Sequence, residues 1–466
     1  RLDRSAETAR VAAALLAREW QPGDPFWQAL RPRITAGLQE SRRPAARLLR
    51  AVVEGSGTAG PAAAARAADE AAAALGLLER SADRGAEAAA GGESTAAALL
   101  IFRRCLIDLE LAAGRRDEAL AEMRRLFAAG WDEDVTHDDG ADVTTANLIW
   151  AVEHGLPEAV DLLADRWPGL AIDRRPTAYA AALACAARGD ARRGAELADA
   201  AFAAGRNAVG GFTDRLQAGM LLAKWGATDW AIREYRAILD DPQAPGGEFA
   251  LAGILFSEFL HDLGRDDEAA DVLRRVVGGR AEGAAAAEDL LRRLDRDPTV
   301  IRGRASFFAS CAAAARGDDA GRRRLVEEAL RHHGRDVDAL IAAYELSAAS
   351  PRERETVRAR VERALEKIEE EINALPDEAN GYNEYAWLVA NTEGDLKKAI
   401  RFSKRSLEMA FDNSSYLDTL AHCRFAAGDQ AAAIRIQSLA RRMEPHNRTI
   451  RRNLERFQSR AGAGQP

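Results

Sequence analysis

The sequence is poor in the residues that interrupt helices or build strands. Proline accounts for 15 of the 466 residues and aromatic residues for 6%, whereas Ala, Leu, Arg and Glu, all good helix formers, are abundant. Proline breaks helices, and aromatic residues favour strands, so the scarcity of each favours a helical protein. We predict an all-α protein. At this length we expect an elongated array that adds core with each unit.

Cysteine is scarce too. Cys105, Cys185, Cys311 and Cys423 each lie in an apolar helical run, with no CxxC pair and no histidine at metal-ligand spacing. We interpret them as small buried hydrophobic residues, and we predict no metal site and no cofactor. Free thiols fit a reducing compartment, so the cytoplasm is favoured. An exported form also fits, because the chain begins with Arg1 rather than Met.

Long hydrophobic runs are absent from the sequence, which predicts no integral membrane segment. The formal net charge is −8, from 65 Lys and Arg against 73 Asp and Glu. Such a balance gives no global attraction to nucleic acid, so we do not expect nucleic acid as a partner.

A repeat is visible near the C-terminus. Gly394 and Gly428 are 34 residues apart, and Ala399 and Ala433 keep the same spacing. Thirty-four residues is the tetratricopeptide period. Glycine accepts the left-handed backbone at the end of a first helix, the following Asp can cap the second helix, and the small Ala allows the two helices to approach closely.

The same pattern, a glycine followed a few residues later by a small residue, recurs upstream at irregular intervals. The glycines concerned are Gly114, Gly155, Gly189, Gly226, Gly264 and Gly317. Room remains between Gly317 and Gly394 for one further pair, with helices at 336–349 and 352–375. We therefore predict eight to nine helix pairs from about residue 95 onward, because a single pair cannot bury its apolar face alone.

These patterns predict four regions. Residues 1–92 form an N-terminal helical region of degenerate repeats or a cap, with helices at 4–19, 25–39, 42–54 and 61–80. Residues 93–335 hold irregular repeats, 336–446 hold the C-terminal repeats with the clearest units at 380–446, and 447–466 form a capping helix and tail.

Residues 380–446 resemble a bacterial version of the tetratricopeptide repeat. The resemblance rests on two segments, Asn383-Glu384-Tyr385-Ala386-Trp387-Leu388-Val389-Ala390 and Tyr416-Leu417-Asp418-Thr419-Leu420-Ala421. It implies a right-handed superhelix of antiparallel helix pairs whose first helices line a concave groove that binds peptides or partner domains. The Lys/Asn/Arg set with which some members of this family grip a carboxylate is not found here. The candidate groove residues are instead Glu384, Tyr385, Leu388, Asn391, Asp418, His422 and Phe425.

The C-terminal end is basic. Residues 397–460 contain 14 Lys and Arg against six acidic residues. The simplest interpretation is a solvated outer face plus a basic capping helix. The alternative is a docking surface for an acidic partner or for the acidic half of another copy. The residues of this predicted basic surface are Arg441, Arg442, Arg448, Arg451 and Arg452.

Catalytic signatures are missing from the sequence. The acidic stretch 131–142 fails the spacing of a calcium loop and is predicted to be a solvated loop between repeats. We therefore predict a non-catalytic scaffold that binds a partner protein in its groove. Two alternatives remain: a regulatory or sensor module of a longer protein, and an enzyme on an α-solenoid or α-toroid scaffold, for which no convergent acid/base set is visible.

Overall fold

The structure, a computed structural model, contains only helices as regular elements in the part of the chain that it describes. The all-α prediction is therefore confirmed. None of the helices described is long and apolar enough to cross a membrane. The described residues are 47–48, 50–52, 60–83, 92–129, 137–166, 175–204, 211–278, 281–293, 299–410, 413–444 and 446–463.

The chain divides into two compact units, an N-terminal unit Arg1–Arg206 and a C-terminal unit Asn207–Pro466. Three antiparallel pairs, α2/α3, α4/α5 and α6/α7, follow α1 in the described part of the N-terminal unit. Its helices are α1 Pro61–Asp83, α2 Gly92–Ala112, α3 Arg116–Ala129, α4 His137–Glu153, α5 Ala159–Arg166, α6 Arg175–Ala187 and α7 Ala191–Ala203.

The C-terminal unit continues the same architecture with six more pairs, α8/α9, α10/α11, α13/α14, α15/α16, α17/α18 and α19/α20, and with single helices α12 and α21. Their bounds are α8 Gly211–Lys224, α9 Thr228–Leu239, α10 Gly246–Asp262, α11 Asp266–Gly278, α12 Ala281–Arg293, α13 Val300–Ala315, α14 Asp319–His332, α15 Val337–Leu346, α16 Pro351–Ala374, α17 Ala379–Asn391, α18 Leu396–Met409, α19 Ser414–Ala426, α20 Gln430–Met443 and α21 Arg448–Ala463.

Every glycine that the repeat pattern places between paired helices adopts a positive φ. The values run from 70° to 149°, a range that favours glycine over residues with a side chain. The predicted turns are therefore confirmed. The glycines are Gly114, Gly155, Gly189, Gly226, Gly264, Gly317, Gly394 and Gly428.

Aspartates cap the second helices, as the repeat pattern predicts. Asp318 accepts from the backbone N–H of Gly321 at 2.8 Å, and Asp395 accepts from that of Lys398 at 3.0 Å. The small residues that follow are fully buried at Ala399 and Ala433. Their size allows the paired helices to pack closely, which explains the spacing from glycine to alanine.

Two predictions on helix boundaries can be compared with the structure. The pair predicted at 336–349 and 352–375 is confirmed as α15, followed by the 3₁₀ turn Ser347–Ala349, and α16. The loop predicted at 131–142 is wrong for 137–142, because α4 begins at His137. Acidic residues in a first turn are compatible with helix because of its dipole.

The four predicted regions stay a prediction. The helix predicted at 61–80 is confirmed as α1, whereas those at 4–19 and 25–39 lie outside the described residues, as does most of the one at 42–54. The clearest predicted units, residues 380–446, correspond to the pairs α17/α18 and α19/α20. The predicted C-terminal helix is α21, which extends to Ala463.

Candidate functional site

A cavity of about 540 Å³ lies within the C-terminal unit. Side chains of the first helices of successive pairs, α10, α13, α15, α17 and α19, line it together with the start of α21. First helices occupy the same position in successive pairs, so the cavity lies on the face that these helices share. We call it the acidic cavity because six carboxylates line it.

The start of α21 closes this cavity on one side. The side-chain amide of Asn447 donates to Asp262 at 3.0 Å, and the guanidinium of Arg448 donates to the carbonyl of Gly264 at 3.3 Å. The ring of His446 lies 6.0 Å from that of Phe259. Residues just before and at the start of α21 therefore contact α10 and the turn that follows it.

Arg304 forms the central charge cluster of the acidic cavity. Its guanidinium donates to Glu258 at 2.9 and 3.1 Å and to Asp338 at 2.7 Å. The second oxygen of Asp338 accepts from the indole N–H of Trp387 at 2.9 Å. Burial opposes ionisation of Asp338, but Arg304 and the indole donor outweigh it and hold the pKa of this carboxyl below its usual value.

Carboxylates outnumber cations in the lining of the cavity. Two guanidinium groups face the six carboxylates, and both are already paired, Arg304 as described and Arg335 with Glu371. Burial raises the pKa of Asp262 to about 7, and the negative charge of Glu444 adds to this effect. The lining carboxylates are Glu258, Asp262, Asp336, Asp338, Glu384 and Asp418.

Two of the seven predicted groove residues, Glu384 and Asp418, line the cavity. Glu384 accepts from the side-chain amide of Asn380 at 2.7 Å. Asp418 is buried, and it accepts from Gln437 and, at 3.0 Å, from Asn453. Asp418 therefore joins α19 to α20 and α21, whereas Glu384 bonds a neighbour on its own helix.

The other predicted groove residues on α17 pack against neighbouring helices. Leu388 is fully buried and Tyr385 is 5% exposed, with its ring 5.0 Å from that of Phe402. The side-chain amide of Asn391 donates to the carbonyl of Trp387 within α17 at 2.9 Å, and its oxygen bonds the imidazole of His422 on α19 at 2.9 Å. The prediction missed this burial because a helix that lines a concave face also packs against its partner and its neighbour along the array.

His422 and Phe425 fill the space between α19 and α21. Phe425 stacks on Phe457 with ring centroids 4.4 Å apart. The imidazole of His422 is buried and bonds the Asn391 oxygen at 2.9 Å. Burial lowers the pKa of His422 to about 4, so the ring is neutral near pH 7 and does not act there as a charged ligand contact.

The predicted basic surface is exposed at four of its five arginines. Arg448 differs, since it is half-buried and directed at Gly264 as described. Among the residues that the structure describes, Arg441, Arg451 and Arg452 have no carboxylate partner. The exposed members are Arg441, Arg442, Arg451 and Arg452.

A group of potential metal ligands lies beside the cavity. His261, Asp266 and Cys311 offer a nitrogen, an oxygen and a sulfur that all lie within 4.8 Å of one another. The predicted absence of a metal site did not foresee this group, because its members are not at the short spacings typical of metal ligands. The three residues come together only through the turn after α10 and the packing of α13, and the pattern of residues contains no signal for that packing.

No protein-family model matches the chain, and no curated protein matches its sequence. Solved structures that are similar include the TPR domain of P58(IPK), at 16% identity over 75% of this chain and 99% of that one, with a TM-score of 0.21. Naa15/Naa10 bound to HypK-THB matches at 15% identity over 98% and 66%, with a TM-score of 0.23. The APC/C hetero-tetramer Cut9–Hcn1 matches at 10% identity over 93% of both chains, with a TM-score of 0.23.

At these TM-scores the chains do not superpose as wholes. The helix pairs, the glycine turns and the 34-residue spacing of Gly394 and Gly428 therefore define the architecture on their own. They make this chain an all-α protein of tetratricopeptide-like helix pairs.

Proposed function

We propose that the C-terminal unit is a non-catalytic protein-interaction module whose acidic cavity binds a partner segment that carries Lys or Arg. One observation supports this proposal above the others: six carboxylates line the cavity against two arginines, of which Arg304 is shared by Glu258 and Asp338, and Arg335 is paired with Glu371 outside the lining. The remaining negative charge favours a cationic occupant, and Lys and Arg side chains supply both the charge and hydrogen-bond donors.

The arrangement of the first helices favours an extended polypeptide as the occupant. Packed helices lie about 8–10 Å apart, and an extended chain advances about 3.3 Å per residue. Successive helix pairs would therefore contact about every third residue of the segment. Glu384 on α17 and Ser415 on α19 line the cavity from two such pairs, and both are accessible enough to be contacted.

The experiment that tests this proposal is selection from a peptide display library with the full chain as bait. We expect enrichment of segments with Lys or Arg. A chosen peptide is then measured by fluorescence anisotropy against two variants. Ser415→Arg adds a cation to the cavity lining and should weaken binding at least tenfold. Gln430→Arg adds the same charge at an exposed site on α20 that does not line the cavity, and should leave affinity nearly unchanged.

Two outcomes would contradict the proposal. Selection of acidic segments, with binding unaffected by Ser415→Arg, would transfer the site to the basic surface of Arg441, Arg442, Arg451 and Arg452. Selection of no peptide at all would favour the alternative of a regulatory or sensor module that acts within a longer protein.

A further inference from the structure

The turn between α10 and α11 brings two potential metal ligands together. Gly264 has φ +73°, which reverses the chain within a few residues. His261 precedes this glycine by one helical turn, and Asp266 is the first residue of α11. The imidazole Nδ1 and the carboxylate Oδ1 consequently lie 2.5 Å apart.

The third potential ligand comes from α13. Arg304, Phe308 and Cys311 follow one another at helical spacing, so they share a face of this helix. The imidazole of His261 stacks on Phe308, with ring centroids 4.7 Å apart. This stacking holds His261 against the face that carries Cys311, whose side chain is half-buried.

We propose that His261, Asp266 and Cys311 form a binding site for one zinc ion. Their ligand atoms lie within 4.8 Å of one another. Bond lengths of about 2.0–2.3 Å in a tetrahedral site place ligand atoms about 3.5 Å apart. Small rotations of the three side chains are therefore enough to bring their ligand atoms to this separation. Nitrogen, oxygen and sulfur together suit zinc better than the oxygen-seeking magnesium or calcium.

Charge also fits a divalent cation. A neutral imidazole, a carboxylate and a thiolate carry two negative charges, which balance those of Zn²⁺. On binding, the metal replaces the thiol proton of Cys311 and the proton that His261 and Asp266 share in their hydrogen bond, and both protons are released to solvent. Since His261 also lines the acidic cavity, the fourth ligand position can be filled by water from that side.

The nearby arginine does not oppose this site strongly. Arg304 lies seven residues from Cys311, about 10 Å along the helix axis. Its charge is compensated by Glu258 and Asp338. Arg316, at the end of α13, is paired with Asp267 at 2.6 Å, and this contact joins the end of α13 to the first turn of α11. The helices that carry the three ligands are therefore held together by ion pairs that form without a bound metal.

Cobalt(II) is the probe that reports the ligands directly. The full chain, kept reduced and freed of metal, is titrated with Co²⁺ and then with Zn²⁺. We expect one cobalt per chain, a thiolate-to-cobalt charge-transfer band in the near ultraviolet, visible bands typical of tetrahedral coordination, and displacement by zinc. Cys311→Ala should abolish the charge-transfer band, and His261→Gln should weaken zinc binding at least tenfold. Cys185→Ala, which removes a buried cysteine from α6, is the matched control and should retain both.

A second measurement keeps the test valid if Cys311→Ala fails to fold. In the unaltered chain, zinc should slow alkylation of Cys311 by iodoacetamide at least tenfold, as mapped by mass spectrometry, and leave the rate at Cys185 unchanged. A cobalt spectrum without a thiolate band, equal zinc affinity in the unaltered and Cys311→Ala chains, or unchanged alkylation of Cys311 would overturn the proposal. His261 and Asp266 would then form only an ion pair between α10 and α11.

Discussion

Each unit contains a carboxylate on the first helix of one of its pairs. Asp108 lies on α2 of the N-terminal unit and Asp338 on α15 of the C-terminal unit, and they differ in how their negative charge is compensated. Asp338 accepts from Arg304 and Trp387, and these donors lower its pKa in spite of burial. Burial raises the pKa of Asp108 to about 8, and the positive charge of Arg104 offsets this only in part.

The reason for the difference lies in where the neighbouring cations are directed. Arg104 lies one helical turn before Asp108, but its guanidinium donates to the Asn147 oxygen at 2.5 and 3.1 Å. The imidazole Nε2 of His154 is 3.9 Å from Asp108, beyond hydrogen-bond distance. Similar helix pairs therefore hold a carboxylate charged or neutral, depending on which donors reach it.

Breaking the compensated cluster should have the largest effect. Arg304→Met leaves Glu258 and Asp338 without their cation in the cavity, so we expect the free energy of unfolding to fall by about 3–5 kcal/mol. Urea denaturation followed by circular dichroism measures the loss. Arg302→Met, on the same helix at an exposed position, should change stability by less than about 0.5 kcal/mol. Equal losses in both variants would show that the cluster is not compensated as described.

Removing the charge of Asp108, which is compensated only in part, should stabilise the protein. Because the pKa of Asp108 rises from 3.8 in the unfolded chain to about 8 in the folded one, its ionisation opposes folding. The resulting cost is absent below pH 4, grows between pH 4 and 8, and is constant above. Asp108→Asn should therefore raise the free energy of unfolding by at least about 2 kcal/mol at pH 8 and change it little at pH 4, because each unit of pKa shift corresponds to about 1.4 kcal/mol. Denaturation at both pH values checks this, and a gain that does not depend on pH would contradict it.

Removing one hydrogen-bond donor of Asp338 should reduce stability by a smaller amount. Trp387→Phe keeps an aromatic ring but removes the indole donor, so we expect a loss of about 1–2 kcal/mol at neutral pH. The pKa of Asp338 should also rise, so that the stability contributed by its ionisation is lost at a higher pH on acidification. A double-mutant cycle with Asp338→Ala, which removes the acceptor, isolates the contact. A coupling energy near zero would mean that the ring, and not its N–H group, supplies the stability.

Features that depend on local chemistry could be predicted from the sequence. Gly394 and Gly428 have the positive φ that the repeat requires, and Asp395 caps the helix that follows. The turn chemistry is local, so the residues around each turn contain the necessary information. Even the irregular pair α15/α16 could be placed, because its boundaries are marked by Pro351 and by Pro376.

The candidate site was harder to predict because its parts are distant in sequence. Arg304 pairs with Glu258 across 46 residues and with Asp338 across 34. Leu388 was predicted to face a partner and is instead fully buried. A helical period shows which residues share a face, but it does not show whether a given position on that face contacts solvent or a neighbouring helix.

The contact between Asn447 and Asp262 joins residues 185 positions apart. In an open repeat array each pair touches only its neighbours, so folding can begin anywhere and the end units fray first. Here the last helix is tethered to a much earlier pair, and that tether can form only after the pairs between them have assembled, because closing so long a loop costs entropy. Assembly of the C-terminal unit thus ends with a closure step, and local opening of the unit is expected to begin with the release of α21.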